Sequence, residues 1–477
     1  MTDFDLLVVG TGPAGEKGAV QAAYFGKRVA IIERHPVLGG ARITSCALPS
    51  KNLRETALAL VALRRREAPS VRAEVRPGAT LAELMCRQEP LVGNEIARVR
   101  ANLDRHGVEI VRGSAHFEDP HTLRVDGPDG GVRHLRAPVI LLAPGSSPHR
   151  PDGIPFDDPD VHDSDEILSV ERIPASLTVV GGGVIGSEFA TMLGPLGVRV
   201  TLLERGERLL PFADAEMSRL LTASLPQIGV TARFGVKAVT VSRAPDGIAT
   251  RLEDGSRVVS EQVLVCAGRV GNTAELGLAA AGLTADGRGR LAVNANYQTA
   301  VPHIYAAGDV IGFPALASTS MEQARIAICH AFDLKYKTRL SPVLPLGIYT
   351  IPELAMVGKT EEEAAADGDD VVIGRARFGD NARGQIAGDA DGMVKLLFAR
   401  ADRKLVGTHI VGERATELIH VASTGLALGA TVETFIDAVY NFPTLSELYK
   451  YAAYDALGNL APAASSVPQT GGTRSGR

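Results

Sequence analysis

Asp5-Leu6-Leu7-Val8-Val9-Gly10-Thr11-Gly12-Pro13-Ala14-Gly15 begins the stretch that decides the fold of this chain, and Glu33 ends it. The first five residues are almost wholly apolar, as expected of a strand buried on both faces of a parallel sheet. Gly10, Gly12 and Gly15 fit GxGxxG, with Thr11, Pro13 and Ala14 between them. A helical pattern follows to Phe25, Gly26 ends it, and the apolar run from Arg28 to Ile32 leads into Glu33. The spacing has a physical meaning. Gly10 permits the tight turn, Gly12 lets backbone approach a pyrophosphate, and Gly15 lets helix and strand pack closely. The helix N-terminus offers unpaired N–H groups to phosphates, and Glu33 is placed to accept from a ribose hydroxyl. Together these predict a dinucleotide site.

The same unit recurs from Ser176 to Glu204. Leu177-Thr178-Val179-Val180 is the strand, and Gly181-Gly182-Gly183-Val184-Ile185-Gly186 is the turn. A helix to Leu196, Gly197 and the run from Val198 to Leu203 bring the chain to Glu204. Two such units predict two different dinucleotides, one bound for chemistry on the other. Glu204 favours a free 2′-hydroxyl, while Arg205 and Arg208 are cations suited to a 2′-phosphate. These opposed charges are compatible with both NAD and NADP.

Composition sets the outer limits. A chain of 477 residues holds about three domains. Fifty Lys+Arg against 55 Asp+Glu leave a formal charge of −5, which gives no basic footprint for nucleic acid. The first strand starts at once, with no signal peptide, and no apolar run is long enough to span a membrane. Cys46, Cys86, Cys266 and Cys329 lie far apart, with neither CxxC nor metal-ligand spacing. The expectation is a reduced, cytoplasmic protein without a metal site.

After Glu33 comes Gly39-Gly40-Ala41-Arg42-Ile43-Thr44-Ser45-Cys46-Ala47-Leu48-Pro49-Ser50-Lys51. This resembles the active-site stretch of the flavoprotein disulfide reductases, GG-x-C-x-x-x-x-C-x-P-x-K, whose two cysteines form a redox-active disulfide. Arg42 stands at the first cysteine and Ala47 at the second, while Pro49 and Lys51 are kept. Cys46 is one place early and lacks a partner at the family spacing. Near the end, Asn441-Phe442-Pro443-Thr444-Leu445-Ser446-Glu447 resembles the family's HPTxxE, in which the histidine serves the thiol pair. Phe442 replaces that histidine and Glu447 remains. Thiol–disulfide exchange needs a thiolate pair and a base, and neither is in place.

Further stretches carry the resemblance. Ala143-Pro144-Gly145-Ser146 is similar to the turn that closes the family's first domain, and Gly268-Arg269 to the turn that closes the second. Thr299 through Ile304-Tyr305-Ala306-Ala307-Gly308-Asp309 is similar to the motif whose aspartate binds the FAD ribityl chain, which assigns FAD to the first glycine turn. The resemblance implies FAD contacts at Gly10, Gly12, Pro13, Ala14, Gly15, Glu33, Arg34, Gly39, Gly40, Ala41, Arg42, Lys51, Ala115, Ala143, Gly145, Gly308, Asp309, Leu316 and Ala317. It implies NAD(P) contacts at Gly181, Gly183, Val184, Ile185, Gly186, Glu188, Glu204, Arg205, Gly268 and Arg269. Lys51 is expected near flavin N5, paired with Glu188. Arg42 either fills or charges the space over Ala47 or makes a structural salt bridge.

The implied architecture is α/β, with two Rossmann-like dinucleotide-binding domains, for FAD and NAD(P), and a C-terminal α+β dimerisation domain. Residues 1–148 and 276–338 form the first, 149–275 the second and 339–460 the third, with 461–477 a disordered tail. Within the family, Pro49-Ser50-Lys51 with Leu53 to Leu58, Gly347 to Glu353 and Phe442-Pro443-Thr444 resemble the soluble (Si-specific) pyridine nucleotide transhydrogenases. The implied activity is hydride transfer from NADPH through flavin N5 to NAD+, in a homodimer or higher homo-oligomer. An NAD(P)H-dependent reductase of a quinone or other small electrophile remains the alternative, and a flavin-loaded scaffold a third.

Overall fold

The computed structural model describes residues 2–45, 47–66, 70–85 and 87–460. The expectations for Cys46, Cys86 and the 461–477 tail lie outside the described residues. The chain divides into two compact units, Met1–Val61 with Ala73–Glu207 and Pro226–Pro342, and Ala62–Arg72 with Arg208–Leu225 and Val343–Arg477.

In the first unit a parallel sheet runs in the order Ile304–Ala306, Val139–Leu142, Leu6–Val9, Val29–Glu33, Glu109–Arg112. Leu6–Val9 is buried along its whole length, as its unbroken apolar run requires. The Pro13–Tyr24 helix packs on this sheet through Ala14, Ala19 and Ala22, with Pro13 in its first turn, where its missing N–H is no loss. A second parallel sheet orders Val161–His162, Gln262–Val265, Ser176–Val180, Arg199–Leu203 and Val230–Arg233. The chain passes between the two sheets on Ser146–Pro148 and returns on Arg269–Gly271, and these two segments pair antiparallel.

The second unit is built on an antiparallel sheet ordered Leu346–Ile348, Glu353–Gly358, Leu405–Gly412, Met393–Ala399, Val371–Arg377. Helices Ala415–Leu428 and Leu448–Leu460 cover it, with Phe398, Phe435 and Tyr449 in the shared core. This is the α+β arrangement expected. Among the described residues no helix is long and apolar enough to cross a membrane.

Two expectations need correction. The amphipathic pattern from Leu81 to His106 predicts one long helix, and the structure has two, Leu81–Leu84 and Gln88–Arg105. Pro90 has no N–H for a carbonyl four residues back, so it fits only the first turn of a helix that starts afresh. The sequence pattern predicts a strand over Arg375–Phe378, and in the structure the strand is Val371–Arg377.

The second unit also holds a buried cation. Lys395 is 1% exposed, and its Nζ lies 2.8 Å from Asp214, 3.0 Å from Glu216 and 2.5 Å from Glu361. Asp214 also caps the Ala215–Ser224 helix by accepting from the Glu216 and Met217 N–H groups. Burial would raise the Asp214 pKa, but His409 and Lys395 outweigh it and hold the carboxyl low. Burial would likewise lower the Lys395 pKa, and its carboxylate partners raise it instead. The Asp214 contribution is therefore complete above the unfolded carboxylate value, near 4, and is lost as the pH falls through the lower folded value. At neutral pH, Lys395→Met leaves a buried carboxylate without its cation, a change worth about 3–5 kcal/mol. A urea unfolding midpoint clearly below the parent's is the expected result; an unchanged midpoint would show that the ion cluster is not what holds this segment.

Candidate cofactor site

The first unit contains a cavity of about 540 Å³ at the carboxyl ends of its first sheet, where Val9, Glu33 and Ala143 reach it. Of the residues expected to hold FAD, Gly10, Gly12, Pro13, Ala14, Glu33, Arg34, Gly40, Ala41, Arg42, Ala115, Ala143, Gly145, Gly308, Asp309 and Ala317 line it, and so does Ala47. Gly15, Gly39, Lys51 and Leu316 do not. Gly15 acts behind the turn, where a Cβ would collide with the carbonyl oxygen of Gly10. Gly39 donates its N–H to Thr11 Oγ1 at 2.9 Å. Leu316 caps the Ala317–Ala331 helix, whose first turn reaches the cavity through Ala317 and Ser320. That places the positive end of a helix dipole at the cavity wall.

Both glycine turns are built alike. Gly186 repeats Gly15, since its Cβ would strike the carbonyl oxygen of Gly181. Gly12 and Gly183 differ from these, because a Cβ at either would meet no protein atom within 4 Å. The protein itself does not demand glycine there, so the freed space suits an incoming pyrophosphate.

The two acids are held alike as well. Glu33 accepts from the Thr11 N–H at 2.9 Å and the His35 N–H at 2.8 Å. Glu204 accepts from the Gly182 N–H and the Gly206 N–H, each at 2.6 Å. Each carboxylate is thus locked to the turn it serves. Thr11 and Gly182, the residues that complete these locks, sit in the variable second place of the motif, which pattern matching ignores.

Lys51 Nζ meets Glu188 Oε2 at 2.6 Å, joining the helix after the Gly39-Gly40 loop to the helix of the second glycine turn. Arg42 Nη2 lies 3.1 Å from Glu16 Oε2, and Glu16 also receives Lys17 at 2.7 Å and Asn102 at 2.8 Å. Glu16 is fully buried in the first turn of the Pro13–Tyr24 helix, where the helix dipole favours an acid. Arg42 makes the salt bridge that was one of its expected roles, and it lines the cavity along with Ala47 as well. Burial pushes its guanidinium pKa down, and Glu16 opposes that shift.

Arg205 is exposed beside Glu204, while Arg208 donates to Glu362 at 3.4 Å and to the Pro211 carbonyl at 2.8 Å. Gly268 adopts a left-handed φ of 97°, and the Arg269 side chain turns to Ser146. Phe442 and Glu447 belong to the second unit; Phe442 is 75% exposed and Glu447 accepts from Asn381 at 3.3 Å. Cys266 and Cys329 are free thiols, and desolvation pushes both thiols up, away from the thiolate form that a nucleophile needs.

Residues 4–328 match the pyridine nucleotide-disulphide oxidoreductase family, and residues 344–453 match its dimerisation domain. The chain is 43% identical over 463 residues to a soluble pyridine nucleotide transhydrogenase of Mycobacterium tuberculosis (strain ATCC 25177 / H37Ra), covering 96% of this chain and 98% of that one. It is 40% identical over 461 residues to a soluble pyridine nucleotide transhydrogenase of Colwellia psychrerythraea, covering 96% and 99%. Among solved structures, LpdA from Mycobacterium tuberculosis superposes with a TM-score of 0.85 at 27% identity, covering 95% of this chain and 99% of that one. The flavoprotein disulfide reductase RclA from Escherichia coli shares the fold, with a TM-score of 0.86 at 24% identity over 95% of this chain and 99% of that one.

Gly12→Val fills the space left at the first turn, so the purified variant is expected to carry little flavin. The ratio of flavin to protein absorbance measures this. Full yellow occupancy would mean that FAD does not bind at the first glycine turn.

Proposed function

We propose that this chain, which belongs to the pyridine nucleotide-disulphide oxidoreductase family, is an FAD-dependent transhydrogenase that passes hydride from NADPH to NAD+ without a redox-active disulfide. FAD, bound in the first cavity, supplies N5 as the hydride relay. The observation that carries this reading is the Lys51–Glu188 pair, which bridges the two glycine-turn units where no thiol stands at position 42 or 47. The likeness to transhydrogenases over 96% of the chain supports it independently.

In this reading the residues bind, orient and neutralise. Gly12 and Gly183 admit the two pyrophosphates, and Glu33 and Glu204 receive ribose hydroxyls. Asp309 would hold the ribityl chain, and the helix that starts at Ala317 would offer its positive end to negative charge on the bound group. Lys51, positioned by Glu188, supplies a fixed positive charge near the site of transfer. Ala47 puts no sulfur at the place of the family's second cysteine, and Phe442 stands at the place of the thiol base.

The assignment of residues 1–148 with 276–338 to FAD and of 149–275 to the nicotinamide nucleotides belongs to the same proposal. So do homodimerisation through 339–460 and a cytoplasmic location. The quinone reading needs the charge of Arg42 to be presented over Ala47, and Glu16 already engages that charge.

Anaerobic NADPH is expected to bleach the flavin in one fast phase, with no thiolate-to-flavin charge-transfer band. Added NAD+ should then restore the oxidised spectrum at a rate that matches turnover. Reduced enzyme that ignores NAD+ yet is rapidly reoxidised by a quinone would overturn the assignment. In the same enzyme, Arg205→Ala is expected to raise the KM for NADPH about tenfold, the scale of one charge-assisted hydrogen bond. The KM for NAD+ should stay put; an equal rise for both nucleotides would remove Arg205 from 2′-phosphate recognition.

A further inference from the structure

We infer that Ser146 and Arg269 are positioning residues that orient the Asp309 carboxylate toward the cavity, an assignment that rests on FAD occupying that cavity. The Arg269 guanidinium grips Ser146 twice, donating from Nε to the hydroxyl oxygen at 2.7 Å and from Nη2 to the main-chain carbonyl at 2.7 Å. A guanidinium can only donate. The hydroxyl proton of Ser146 must therefore point away from it, and the acceptor waiting there is Asp309 Oδ2 at 2.7 Å. The direction of every bond in the chain Arg269, Ser146, Asp309 is thus fixed.

Placement gives the chain its consequence. Ser146 and Asp309 line the cavity, and Arg269 is not among its lining residues. Arg269 stands on the segment by which the chain returns from the second sheet, paired antiparallel with the segment that carries Ser146. Its remaining nitrogen, Nη1, is buried 3.7 Å from Oδ1 of Asp165, a carboxylate that also lines the cavity. One oxygen of Asp309 is held by this chain, which turns the other toward a ligand hydroxyl. Arg269, expected from the family turn to touch a nicotinamide nucleotide, acts here on the flavin through Ser146.

The test measures FAD release from the holoenzyme, as the recovery of free-flavin fluorescence after dilution. Ser146→Ala and Arg269→Met are each expected to speed release about tenfold or more, because either change breaks a charge-assisted chain. The double variant should release no faster than the worse single one, since a chain broken once gains nothing from a second break. Ser146→Thr, which keeps the hydroxyl, should restore near-parental retention. Additive effects in the double variant would overturn the inference. So would unchanged release from Ser146→Ala while Asp309→Ala sheds its flavin. If Asp309→Ala also keeps its flavin, the assignment of FAD to this cavity falls together with the inference.

Discussion

In each nucleotide-type unit a single carboxylate, at the end of the second strand, is held by two backbone N–H groups, one of them from the glycine turn it serves. Glu33 is tied to Thr11 and Glu204 to Gly182, while His35 and Gly206 close the other side of each. The lock fixes the distance between the point where a pyrophosphate can approach and the point where a ribose hydroxyl can bond. It also pairs carboxylate oxygens that would otherwise have to be ordered by the ligand. Much of the orienting work is done before binding, which is how preorganised sites convert contacts into affinity.

The chemistry then follows from which charges face one another. Where the disulfide reductases carry two cysteines in this motif, this chain carries Arg42 and Ala47. A largely buried cation such as Arg42 would be costly unless paired. Glu16, buried in the helix of the first turn, supplies the partner. Lys51 and Glu188 form the other pair, and within the first unit it joins the helix after the Gly39-Gly40 loop to the helix of the second glycine turn. Hydride transfer needs position and field rather than a protein nucleophile, so the loss of the thiols leaves the rest of the frame usable.

Both glycine turns, their strands and their acids were legible in the sequence because every residue of the motif answers to a local requirement over about thirty positions. The Lys51–Glu188 pair was legible only through the family resemblance. What stayed hidden depends on long-range pairing. Lys395 looks like any lysine of a strand, and its partner Asp214 lies 181 positions away. Ser146, Arg269 and Asp309 each belonged to a separate turn, with nothing in the spacing to join them. Glu16 gives no sign of its role in the sequence, because an acid in the first turn of a helix is ordinarily a solvated one. The break before Gln88 was legible in principle, since Pro90 forbids a continuous helix; the amphipathic pattern on either side hid it.

In the proposed cycle one glycine turn keeps FAD and the other serves both nicotinamide nucleotides in alternation. Initial rates measured with NADPH and NAD+ varied against each other test this directly. A single shared site requires NADP+ to leave before NAD+ enters, so double-reciprocal plots should be parallel lines. Intersecting lines, which need both nucleotides bound at once, would contradict the account.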